Sequence, residues 1–225
     1  MNVIFQPPQS PRALPSTPAS SEQHFVLDNV TWQQYEEIGK VLENRAGLRI
    51  TYDRGILELM TTSPEHEKYK MRLGGLLQTL CEEFNLAMEP AGNMTFKRED
   101  LERGLEPDQC YWIEHESQVR GKLEWDPKVD PPPDVVIEVE VSRSAQDRMS
   151  IYGSLGVPEV WRFDGESLVA CVLQSGGGYK EMDRSPTFPA VPLAELVRFV
   201  IPSPTADFLS EIREFRAWVR GLLGK

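Results

Sequence analysis

Apolar positions recur every three to four residues in four stretches of the chain and every second residue in much of what lies between, and the change of period defines the expected elements. Trp32, Tyr35, Ile38 and Leu42 form the first helical stripe. Thr31 opens it, with Gln34 three residues on in a capping-box pattern. Residues 48–60, LRITYDRGILELM, switch to a strand pattern and read as a hairpin turned by Asp53-Arg54-Gly55, where Gly55 can take a positive φ. Ser63-Pro64 starts the second helix, serine as N-cap and proline at the first helical position. Tyr69, Leu73, Leu76, Leu77, Leu80 and Phe84 carry its stripe to about Asn85. Strand candidates follow at 90–97 (PAGNMTFK), 106–113 (EPDQCYWI) and 134–142 (DVVIEVEVS). Ser144 is the expected cap of a third helix, with Asp147 as its capping-box partner and Gly156 and Pro158 as its stop. VPEVWRFDG, SLVACVL and YKEM read as three strands joined by turns, and a last helix from about Ser203 presents Phe208, Ile212, Phe215, Val219 and Leu222.

From residue 65 the order is α-β-β-β-α-β followed by a hairpin extension. Mixed without strict alternation, it predicts an α+β (mixed α/β) domain with a mixed central sheet flanked by helices, an N-terminal helix plus hairpin, and a C-terminal helix. Five prolines with serines and glutamines mark residues 1–23 as a disordered tail, leaving 24–225 as a single domain. No run of 18 apolar residues exists and the N-terminus has no basic region, so neither a membrane span nor a secretory signal is expected. Cys81, Cys110 and Cys171 are widely spaced, which favours reduced thiols and a cytoplasmic setting. With only three histidines, zinc sites are disfavoured. The net charge of −11 counts against a broad basic face for nucleic acid. It leaves open an acidic site that meets phosphates through divalent cations.

The 134–142 strand raises the chemical question. Val135, Ile137, Val139 and Val141 share one face; Asp134, Glu138, Glu140 and Ser142 share the other. A solvated acidic face is one explanation, since half-exposed strands alternate in this way. Glutamate is a poor strand former and same-face acids repel, so a bound divalent cation is the other. At about 3.3 Å per residue, Asp134 and Glu138 lie roughly 13 Å apart and cannot easily share an ion, whereas Glu138 and Glu140 can converge. Asp108, from the preceding strand, is the best third ligand. Glu67, in the first turn of the second helix, could close the site, although acids are favoured there by the helix dipole alone. His66 is expected as a cap or packing residue and His115 as a loop residue.

EPD at 106–108, PPPDVVIEVE at 131–140, SAQDRMSIY, GVPEVWRFDG and SPEHE at 63–67 together resemble the Uma family of restriction-endonuclease-like proteins, within the PD-(D/E)XK nuclease superfamily. The resemblance runs from about Thr31 to Trp161. It implies a restriction-endonuclease-like α-β-β-β-α-β core. It also implies that Asp108 and Glu138 bind Mg²⁺ (or Mn²⁺), and that Glu67 matches an acid on the first core helix. The superfamily's lysine, two residues after the acid, is Glu140 here. Many Uma proteins carry a lysine on the next helix, four residues before a tyrosine; Arg148 holds that place before Tyr152. Arginine can stabilise developing phosphate charge but cannot act as a general base. Lys97 is the fallback cation.

The expectation is a Mg²⁺-dependent endonuclease hydrolysing double-stranded DNA, with a homodimer across a two-fold axis as its plausible assembly. Asp108 and Glu138 would hold the ion, Glu140 would add a ligand or orient a water, and Arg148 would support the transition state. The alternative is a nuclease-fold binding or regulatory module without cleavage, motivated by the acidic charge and the missing lysine.

Overall fold

In place of the one central sheet expected, the computed structural model, which describes residues 22–43 and 45–225, forms two sheets. The expected tail lies, through residue 21, outside the described residues. The first half of the chain supplies β1 (His24–Leu27), α1 (Trp32–Leu42), β2 (Leu48–Asp53), β3 (Ile56–Thr61), α2 (Pro64–Phe84), β4 (Glu89–Gly92), β5 (Phe96–Arg98), β6 (Arg103–Leu105) and β7 (Gln109–Trp112). The second half supplies a one-turn α3 (Glu116–Val119), β8 (Val135–Val139), α4 (Arg148–Leu155), β9 (Glu159–Phe163), β10 (Leu168–Leu173), β11 (Tyr179–Met182), α5 (Leu193–Val200) and α6 (Phe208–Leu222).

Local chemistry sets most boundaries as the pattern predicts. Thr31 and Gln34 close a reciprocal capping box on α1. Arg54 (φ 45°) and Gly55 (φ 93°) give the β2–β3 hairpin the left-handed two-residue turn that suits strand twist. Ser63 caps α2, and Asn85 ends it in the left-handed region at φ 55°.

Four expectations change. The 90–97 strand is two strands in different sheets: Gly92, at φ 60° and beside a register shift, ends β4, and the chain crosses over before β5. The 106–113 strand shortens to β7, and β6 precedes it in the other sheet. α4 begins at Arg148 under an Asp147 cap, because Ser144 turns its hydroxyl onto Glu58 instead (2.5 Å). The C-terminal helix starts at Phe208 under Asp207, and α5 precedes it.

The smaller sheet is antiparallel, ordered β1-β3-β2-β6-β5, with α1 closing a core of Tyr35, Ile50, Tyr52 and Leu57. The larger is β11-β10-β9-β8-β7-β4, and only its β8–β9 pair is parallel, joined by a crossover through α4. Within it, α2-β4-β7-β8-α4-β9 reproduces the expected α-β-β-β-α-β core, so the mixed α+β class holds. Val135, Ile137 and Val139 pack against Leu73, Leu76, Leu77 and Leu80 of α2, in a core that α5 and α6 extend. Each such leucine, fully buried, contributes about 1.5–3 kcal/mol relative to exposure. Val136, on the opposite face, packs with Ile151, Tyr152 and Leu155 of α4. Glu138 therefore points at α4, and Asp108 ends the loop that crosses from the small sheet to the large one.

Gly104 in β6 tests the small sheet. A Cβ there would stand 2.3 Å from the Tyr35 hydroxyl oxygen, and the Tyr35 ring, stacked on Tyr52 at 4.7 Å, has no room to retreat. Gly104→Ala should destabilise the fold by about 1–3 kcal/mol. Gly176→Ala, with nothing within 4 Å of the new atom, should be nearly neutral. Urea unfolding of both variants checks the contrast.

Candidate active site

β7 and β8 pair antiparallel with Gln109 opposite Ile137, Cys110 opposite Val136 and Tyr111 opposite Val135. One further step of that register sets Asp108 opposite Glu138. Both are almost wholly buried, at 2% and 4% exposure. Two carboxylates held side by side away from water must be neutralised, because an uncompensated buried charge is strongly destabilising.

Three cationic side chains from three elements meet that need. Arg49 of β2 donates from Nη2 to Asp108 Oδ1 at 2.6 Å, and His66 of α2 places Nε2 2.7 Å from the same oxygen. The Val139 amide donates to Asp108 Oδ2 at 2.8 Å. Arg148 of α4 donates from Nη2 to Glu138 Oε1 at 2.6 Å, and the Tyr152 hydroxyl donates to the same oxygen. Arg148 is fixed in turn by the Thr51 hydroxyl (2.5 Å) and the Glu106 carbonyl (2.8 Å).

The environment separates the two acids. Burial opposes the ionised form of Asp108, but His66 and Arg49 outweigh it and hold the carboxyl below its usual range. Burial likewise raises Glu138; Arg148 opposes the shift, Asp108 adds to it, and the carboxyl stays above the usual range. Burial works against the His66 imidazolium too, yet the carboxylates of Asp108 and Glu22, 2.7 and 2.8 Å from its two ring nitrogens, lift it to about 9. Burial and Glu138 together push the Tyr152 phenol well up.

The residues singled out from the sequence divide. Asp108, Glu138 and Arg148 come together. Glu140 turns instead to Arg162 of β9 in a bidentate pair, Nε to Oε1 at 3.0 Å and Nη2 to Oε2 at 2.7 Å. Glu67 pairs with Lys70 one helical turn on, and Lys97 pairs with Glu36 of α1 at 2.7 Å. Asp134, set apart by spacing, takes the Ile113 and His115 amides at 2.7 and 3.0 Å, so His115 is tied down at the end of β7. Among the described residues no three of histidine, cysteine, aspartate and glutamate gather as a metal-binding group. The three-acid set of Asp108, Glu138 and Glu140 is therefore not assembled, whereas the two-acid set is.

Arg49, Thr51 and the role of His66 escaped the sequence reading. Arg49 and Thr51 alternate with Leu48, Ile50 and Tyr52 on β2. An arginine on the polar face of a strand was the available signal, but only the pairing of β2 with β6 carries that face towards Asp108.

The acid pair lies between two open clefts. Glu140, Arg143, Arg148 and Arg162 help line one of about 410 Å³. Lys70, Gly74, Gln109 and Asp108 help line another of about 700 Å³ along α2.

The family described as "Uma2: Putative restriction endonuclease" matches residues 32–201, well over half of the chain. A solved structure titled a putative nuclease belonging to DUF820, from Anabaena variabilis ATCC 29413, is 13% identical, with 76% of this chain and 90% of that chain covered and a TM-score of 0.44. A likeness at that level supports no assignment. No curated protein matches.

The raised His66 carries a pH signature. A group whose pKa is higher folded than unfolded stabilises fully below its unfolded value, near 6.5, and loses that contribution as pH climbs through the folded value. Wild type should exceed His66→Gln in stability by up to about 3 kcal/mol near pH 6. The gap should shrink steadily towards pH 9.5. Paired chemical denaturation across that range measures it, and a gap independent of pH would remove the imidazolium.

Proposed function

The chain belongs to the Uma2 family, and from that membership we propose that it is a divalent-cation-dependent endonuclease acting on double-stranded DNA through Asp108 and Glu138. The observation that carries the reading is the facing pair itself: two buried carboxylates on adjacent strands, one held ionised and the other pushed towards its proton.

The pair suits a magnesium-type ion, which takes one or two carboxylates and completes its shell with water and substrate phosphate. Glu138 Oε2 takes no hydrogen bond among the described residues, so oxygen is left to offer. Asp108 and Glu138 would hold the cation; Glu140, committed to Arg162, is not part of that set. Bound there, Mg²⁺ or Mn²⁺ would supply a Lewis acid that neutralises phosphate charge and acidifies a water.

The chain's own residues do the positioning. Arg49 and His66 keep Asp108 charged and oriented. Tyr152 and Arg148 fix Glu138 from the α4 side, and Arg148 places a permanent positive charge beside the reacting phosphate. A two-fold dimer would bring one such site to each DNA strand. No helix among the described residues is long and apolar enough to cross a membrane.

One observation favours the second reading, a nuclease-fold binding or regulatory module. Both acids are already neutralised internally, by Arg49 and His66 on one side and Arg148 on the other.

Plasmid nicking with Mg²⁺ or Mn²⁺ decides between them. Wild type should nick, and Glu138→Ala should fall by roughly 100-fold or more, the scale of losing a group that organises transition-state charge. Calorimetric titration with Mn²⁺ should show binding to wild type that Asp108→Asn abolishes. Absence of Mn²⁺ binding at millimolar levels, together with absence of nicking, would leave the binding-module reading standing.

A further inference from the structure

Glu22, just ahead of β1, buries its carboxylate 2.8 Å from His66 Nδ1, with the side chain only 2% exposed. The Ser142 hydroxyl, beyond the end of β8, donates to the other carboxylate oxygen. The backbone of Ser63, the N-cap of α2, also favours the ionised carboxylate. An acid is thus seated where a 21-residue helix begins, between an imidazole and a hydroxyl. Helix N-termini present free amides and partial positive charge, the arrangement that binds phosphate.

The seat is imperfectly filled. Despite the short distance, His66 Nδ1 and Glu22 Oε1 form no aligned hydrogen bond, and both are buried without another partner. A planar carboxylate on a short tether meets the Ser142 hydroxyl well and the His66 ring badly. A tetrahedral phosphate offers oxygens in more directions. The tether is also at an edge: β1 pairs with β3 alone, and Phe25, Val26 and Leu27 are 55%, 43% and 46% exposed. His24 holds that edge through Glu58 (2.7 Å) and Ser142 (2.8 Å), so Glu22 can turn away without undoing the strand.

We propose that this seat is a phosphate-binding site for a nucleic-acid strand, formed by the start of α2, His66 and Ser142, and that Glu22 is its built-in competitor. His66 Nε2 lies on Asp108, so the bound phosphate would stand one imidazole ring from the acid pair. Assigning the phosphate to nucleic acid rests on the nuclease reading; the seat itself does not.

The test is binding by the full chain in EDTA, so that cleavage plays no part. Inorganic phosphate titrated by calorimetry should bind Glu22→Ala about tenfold more tightly than wild type, as when an internal competitor filling the site some nine-tenths of the time is removed. Glu22→Gln, which keeps the shape and drops the charge, should gain in the same direction. Adding Ser142→Ala to Glu22→Ala should reverse the gain, with thermal melts showing that each variant is folded. A short DNA duplex should show the same ranking by anisotropy. A gain for duplexes with and without a 5′-phosphate marks a backbone phosphate, a gain only with it marks a strand end, and both support the seat. Equal phosphate affinity in wild type and either folded Glu22 variant overturns it. A gain for inorganic phosphate that no duplex shares overturns the nucleic-acid assignment. Nicking by wild type without a Glu22 effect would remove the seat and spare the nuclease reading; a Glu22 effect without nicking would do the reverse.

Discussion

Neutralising two carboxylates in a dry interior is the constraint on which the rest of the molecule depends. Asp108 and Glu138 sit opposite one another in the larger sheet, and the sheet's own cation beside them, Arg162 of β9, is taken by Glu140. The cations come from outside it: Arg49 from β2 of the smaller sheet, His66 from the start of α2, Arg148 from the start of α4. Arg148 then reaches back to Thr51 of β2, on the same strand as Arg49. The network is therefore also the joint between the two sheets. Removing either acid would leave a buried guanidinium without its partner, which is costlier than losing the pair together. Stability and chemistry draw on the same groups here, so a substitution in the site changes the fold's balance as well.

How far the sequence could show this follows from what is local. The period of two in residues 134–142 is local, and it correctly separates Val135, Ile137 and Val139 from Val136 and Glu138. Caps and turns are local, so Thr31, Ser63 and Gly156 behave as their types predict. The division of strands between two sheets is not: β4 and β5 are separated by three residues, and only their tertiary partners tell them apart. β1, four residues long, carries too little periodic signal to stand out, whereas Leu193, Leu196, Val197 and Val200 at helical spacing were the available signal for α5. Ser144 fails as a cap because a distant acid, Glu58, claims its hydroxyl.

In the candidate site the division is similar. Strand spacing and the resemblance together single out Asp108 and Glu138, while Glu140, on the same face by alternation, is drawn off by Arg162 from a strand that spacing alone could not place. His66 was the harder case. Its position in the first turn of α2 is fully explained by packing until the fold sets Asp108 against one ring nitrogen and Glu22 against the other.

The arginine in place of a lysine narrows the chemistry further. Burial works against the charge on Arg148, but Glu138 outweighs it, so the guanidinium keeps its proton. Tyr152 keeps its own because burial, with Glu138 beside it, disfavours the phenolate. On the Glu138 side of the site, that leaves the carboxyl itself as the group whose protonation can change, and burial has already moved it upward. In the proposed reaction Arg148 would contribute fixed charge alone. A lysine in its place would donate through a single rotatable ammonium. The guanidinium instead spans Thr51, the Glu106 carbonyl, Glu138 and Tyr152 at once. That span trades an adjustable pKa for geometry, and it holds the acid pair in place between the two clefts.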